Sequence, residues 1–270
     1  MFVDLNSVRF SIIKPKIKNL GRYNTLADIK RDGLRVAYNR AHDSYWLIEQ
    51  EFLRPVIKSP RECRSILVDP KDLKYKILMC HKSREELRDA RALKYIAWGE
   101  ERGFDKRPSC SGRKRWWDVG ERQKARVNAN YLVNDVMRFF ANEDGFYVSD
   151  NFQEVHCDPN IFWQLAVSVN STILQLFANI IGRANFGGGL MKIQTYEVAD
   201  LLVFTPRLLD RNRCKQAMLR VRRAKLDDSD RRALDAIIFD ALGLTKNERE
   251  AVYEEVVDLV SKRLNKARSV

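Results

Sequence analysis

Five consecutive residues, Arg113-Lys114-Arg115-Trp116-Trp117, combine the side-chain chemistries that nucleic acids attract. Cationic groups neutralise phosphate, an arginine fork can also meet guanine O6 and N7 in the major groove, and a flat indole can stack or wedge. Successive side chains of a strand point to opposite faces. The expectation is therefore a shared role, with one tryptophan packed inward while the neighbouring cations bind DNA. A second candidate joins Arg183, the glycines Gly187, Gly188 and Gly189, and Lys192. Glycines let backbone amides approach a phosphate closely and flanking cations add to the field, although the same glycines can equally serve only as a tight turn.

Other chemistries lack their residues. Methyl transfer needs a glycine-rich turn after a strand for its cofactor, and an amino-methyltransferase adds an Asn/Asp-Pro-Pro-aromatic turn for the target amine. Neither occurs, and Gly187 to Gly189 follows an expected helix and precedes an expected strand, the reverse of the dinucleotide-type order. No catalytic residue, metal ligand or cofactor is assigned to this chain. A metal-dependent nuclease would need converging carboxylates near a lysine. Asp69, Asp72 and Lys74, with Glu100 further on, are the nearest set, and acid-rich turns are common. His42, His81 and His156 stand apart, and Cys63, Cys80, Cys110, Cys157 and Cys214 form neither a C-x-x-C pair nor a disulfide framework. No signal segment or membrane span is evident, which gives a cytoplasmic expectation.

Charge favours the binding reading. The 270 residues carry 49 Lys+Arg against 36 Asp+Glu, a net of +13. Arg102 to Arg126 holds nine basic and three acidic residues, and Arg207 to Lys225 holds eight and one, so these two segments account for the whole surplus. A solvated surface would intersperse the signs, so at least one segment is expected to meet phosphate.

The elements that position these residues read as follows. Val8 to Ile13 suits a strand and Leu26 to Lys30 a helical turn. Ser65 to Val68 and Tyr75 to Met79 suit neighbouring strands joined at Asp69-Pro70-Lys71-Asp72. Ser83 with Glu85-Glu86 suits a helix start whose apolar stripe runs to Gly99. After a loop-like stretch between Gly103 and Gly120, Phe146-Tyr147-Val148 suits a strand and Asn160 to Ile181 one apolar helix. Gly182 to Gly189 is expected to be irregular, with Lys192-Ile193 and Leu201 to Phe204 returning to the sheet. Arg207 onward is helical, with Gly243 as a stop and Thr245 with Glu248 as a capping box.

The series Tyr95-Ile96, Gly99-Glu100, Arg113, Trp116-Trp117, Ser168 to Thr172, Gly182-Arg183, Gly187 to Lys192 and Pro206 resembles the TaqI-like specificity domain. That domain lies at the C-terminal end of adenine-specific DNA methyltransferases and fused restriction-modification enzymes. The tail from Asp230-Arg231-Arg232 through Leu242-Gly243-Leu244 to Arg263 is similar to the helical end of such enzymes. The resemblance implies an α+β fold, with a mixed-sheet target-recognition domain and a C-terminal helical hairpin. The expected organisation is an N-terminal extension (1–44), a DNA target-recognition domain (45–206) and a helical region (207–270). It further implies double-stranded DNA and a methyltransferase catalytic subunit or domain as partners, with S-adenosylmethionine held by that partner and the target adenine flipped into it. The competing readings are a metal-dependent nuclease and a protein-interaction module that binds no DNA.

Overall fold

Phe10 and Ile13, three residues apart, share a buried helical face and pack in one cluster with Ile17 beyond it. This apolar segment therefore folds as helix α1 (Ser7–Ile13) and not as the expected strand. The computed structural model describes residues 7–186, 189–221 and 229–268, with side chains for 9–182, 189–221 and 229–265. The chain divides into two compact units, 1–56 with 74–123 and 57–73 with 124–270.

In the first unit α2 (Leu26–Arg31) starts at Thr25, whose side chain accepts from Asp28 N, as the expected helical turn requires. Strands β1 (Leu34–Asn39) and β2 (Ser44–Glu49) form an antiparallel hairpin. Strand β3 (Leu53–Ile57) pairs antiparallel with β4 (Tyr75–Leu78), Arg54 opposite Ile77. Tyr75 to Met79 therefore does not pair with Ser65 to Val68. The latter segment lies in the second unit, where Leu67 bridges Ala141, and the Asp69–Asp72 turn is a short 3-10 helix.

Helix α3 (Arg91–Glu101) begins later than Ser83. Ser83 and Glu86 do exchange cap hydrogen bonds, at 2.6 and 3.3 Å, but only a series of turns follows. The helix is capped from a distance: Glu49, at the end of β2, accepts from Arg91 N at 2.5 Å and Ala92 N at 3.0 Å. Helix α3 buries Ala92, Ile96 and Gly99 against Trp46, Leu87 and Trp117. A short α4 (Pro108–Ser111) follows.

The second unit is built on an antiparallel sheet in which β5 (Val127–Asn130) is central. Ahead of its partners comes β6 (Leu132–Val133). Strands β7 (Phe139–Ala141) and β9 (Phe152–Val155) flank β5, with β8 (Tyr147–Val148) between them in sequence. The expected helix over Asn160–Ile181 is two helices, α5 (Phe162–Asn170) and α6 (Thr172–Ile181), bent by 62°. Ser171 sits at the break in extended conformation and caps α6 at Leu174 N. Among the described residues no single helix is long and apolar enough to cross a membrane.

Arg183–Phe186 is strand β10, paired antiparallel with β11 (Leu190–Lys192), where an irregular segment was expected. Pairing with β11 satisfies its backbone, and β11 in turn pairs with β6. Leu201 to Phe204, expected as a strand, follows α7 (Thr195–Ala199) without regular structure. The tail holds α8 (Arg211–Arg220), α9 (Ser229–Leu242) and α10 (Lys246–Arg268). Gly243 takes φ +69° after α9, and Thr245 and Glu248 form the expected capping box. Helices α8 and α9 share the sheet's core: Cys214, Met218, Leu234 and Ile238 pack in one cluster with Val127, Phe139, Trp163 and Val167. The fold is α+β, its strands arranged in several small sheets.

Candidate functional site

The basic loop after α3 belongs to the first unit. It is a bent segment, not a strand, and both tryptophans turn inward. Trp117 is 9% exposed. Trp116 is half-buried, with its indole donating to Glu100 Oε1 at 3.1 Å and its ring against Gly99. Glu100 also pairs with Arg84. The two rings thus anchor the loop to α3, where one was expected to remain as a stacking face.

Asp118 organises what lies beyond the tryptophans. Its Oδ2 takes both Arg115 Nε at 3.2 Å and Nη2 at 2.6 Å, while Oδ1 accepts from Gly120 N at 2.9 Å and lies 2.7 Å from His81 Nδ1. Burial opposes its ionisation, but Arg115, Gly120 N and His81 outweigh this and hold the carboxyl at about 2. Arg115 is therefore committed within the loop. Arg113 and Lys114 are exposed and form no ion pair among the described residues, and Arg113 Nη1 donates to Trp116 O at 3.4 Å.

Three further cations complete this surface and were not singled out individually from the sequence. Arg102 lies 5.8 Å from the centroid of the Trp98 ring and Arg107 lies 4.2 Å from that of Phe104, with Lys106 exposed between them. His42 packs edge-on against Trp98, at 5.2 Å between centroids, and lies 5.3 Å from Phe104. The signal available was charge density; nothing in the spacing tells that these three stay free of carboxylates while Arg115 does not.

The second candidate falls in the other unit. Gly187 and Gly188 lie outside the described residues, as does the side chain of Arg183. Lys192 is half-buried on β11, its Nζ 4.7 Å from the centroid of the Tyr131 ring. Gly189, at φ +71°, is held by Arg263, which donates to its carbonyl, and a Cβ there would lie 3.1 Å from Leu264 Cα. On the second basic segment Arg213 pairs with Asp240 at 2.6 Å, while Arg211, Lys215 and Arg220 remain exposed on α8. Residues 222–228 lie outside the described range. An open groove of about 650 Å³ runs along α10 between Arg232, Glu250, Tyr253, Glu254 and Asp258. Its acidic wall disfavours a polyanion.

The carboxylates of the nuclease reading are engaged locally. Asp72 is buried and takes Arg64 Nε at 2.6 Å, and Asp69 accepts from Lys71 N at 2.9 Å in the second unit. Lys74 and Glu100 belong to the first unit.

The chain is thus an α+β protein whose first unit presents an exposed cationic loop. Residues 44–238 match the family of the type II methyltransferase M.Eco57I C-terminal domain, and the chain belongs to that family. It is thus a module associated with restriction-modification methyltransferases. No curated protein and no solved structure matches the chain.

Proposed function

We propose that the chain is a target-recognition module of the TaqI-like kind, which binds double-stranded DNA and supplies sequence choice to an adenine-specific methyltransferase. In this reading a catalytic domain or subunit holds S-adenosylmethionine and flips the target base, in the cytoplasm, and this chain performs no methyl transfer. The observation that carries it is the set of five exposed cations, Arg102, Lys106, Arg107, Arg113 and Lys114, none in an ion pair among the described residues, on a segment pinned to α3 by Trp116 and Trp117. Free cations on a fixed frame neutralise phosphate and can present an arginine fork to base edges at small ordering cost. Lys192, Arg183, Gly187 and Gly188 remain proposed phosphate contacts.

The test is selection from a randomised duplex pool at moderate salt, followed by sequencing. An enriched motif is expected, retained as salt rises while total binding falls. Binding without enrichment would reduce the module to a nonspecific clamp, and absence of binding at low salt would favour a protein-interaction role.

A further inference from the structure

The five free cations divide into two sets, joined through the short α4 but each with its own local hydrogen bonds. Arg102, Lys106 and Arg107 ride on a turn that bonds to itself and to α3: Gly103 N donates to Glu100 O at 2.8 Å, Phe104 N to Gly99 O at 2.9 Å and Arg107 N to Phe104 O at 3.3 Å. Arg113 and Lys114 lead directly into the segment that Asp118 closes. Asp118 N donates to Arg115 O at 3.0 Å, its carboxylate spans Arg115, His81 and Gly120, and the Trp116 carbonyl inside this closed segment receives the Arg113 guanidinium. A carboxylate that takes four contacts while its own residue is largely shielded from solvent is a fixed point. His81 ties it to the chain just beyond β4.

Resting on the DNA-recognition reading, we propose that Asp118 is a positioning residue for sequence discrimination. It holds Arg113 and Lys114 where they meet base edges, and the turn carrying Arg102, Lys106 and Arg107 grips phosphate whatever the sequence. Discrimination requires donors held in the geometry of a base edge, whereas phosphate neutralisation carries no sequence information and tolerates a mobile cation. The two functions therefore respond to different substitutions.

The experiment compares the full chain with variants on a duplex carrying the selected motif and on a scrambled duplex, across a series of salt concentrations. Asp118→Asn is expected to lower the preference for the motif by about tenfold or more while the slope of log affinity against log salt stays unchanged. His81→Ala is expected to lower it less, and His81→Asn, whose amide stands where Nδ1 does and can still donate to Asp118, to restore it. Arg107→Ala should weaken both duplexes equally and make the slope shallower by about one. The proposal is overturned if Asp118→Asn keeps the preference, if preference and slope fall together, or if His81→Asn behaves as His81→Ala. Loss of all preference in the unmodified chain would instead overturn the DNA-recognition reading on which this one stands.

Discussion

A methyl group on Gly99 would lie 2.5 Å and 2.7 Å from two ring carbons of Trp116, closer than carbon atoms approach without displacement. Gly182 is in the same position with respect to Met191. The residues that carry the family resemblance are thus joints as much as contacts. Gly99→Ala should push the indole off α3 and destabilise the chain by about 1–3 kcal/mol, read as a lowered thermal midpoint with altered tryptophan emission. The Asp118 carboxyl gives a pH signature at the same scale. Its folded value is held at about 2, below the ordinary 3.8, so its stabilising contribution is complete above about pH 4 and is lost as pH falls through about 2. Emission from Trp116 and Trp117 should report that loss in an acid titration, and Asp118→Asn should abolish the step.

At the scale of the element, the start of α6 is decided by a residue 63 positions away. The buried Asp235 of α9 accepts from Thr172 N and Oγ1, each at 2.6 Å, and from the Tyr253 hydroxyl at 3.2 Å. Burial pushes the Asp235 carboxyl up, against the pull of Arg231 and these donors. The Thr172 hydroxyl also accepts from Arg231 Nε at 3.2 Å. Thr172→Val keeps shape but removes the hydroxyl, and should cost about 1–3 kcal/mol in chemical denaturation because it strips partners from two buried charged groups. Such couplings explain which elements were legible. The cap at Thr245 is local and was readable, whereas α3 is capped by Glu49 from another strand and its start was misplaced. Strand β5 reads Val-Asn-Ala-Asn, a poor strand by propensity. It forms because both its neighbours pair with it, while Asn130 accepts from Arg138 N and donates to Leu132 O, each at 2.6 Å. Asn170 likewise spends its amide on the Phe139 backbone, at 3.1 and 2.8 Å.

For the whole molecule the governing quantity is the net +13 and how much of it stays available. If Arg102, Lys106 and Arg107 supply the phosphate contacts of the first unit, log affinity for duplex DNA should fall with log salt at a slope of about −3, from roughly 0.9 per neutralised phosphate. A slope near about −5 would bring in Arg211, Lys215 and Arg220 on α8 as well. Fluorescence anisotropy across a salt series measures this directly.

The spaced motifs, through the family they resemble, were enough to give an α+β module from the C-terminal end of a methyltransferase, and the local pattern gave a helical tail with recognisable caps. Those signals are local or compositional and survive without coordinates. The tertiary structure alone decided that Trp116 and Trp117 both anchor the loop, that Arg115 is consumed by Asp118 while Arg102 and Arg107 remain free, and that Tyr75 to Leu78 pairs with β3. Ion pairing and strand pairing join residues through space, and a sequence states which residues are charged or extended without stating which partners they meet.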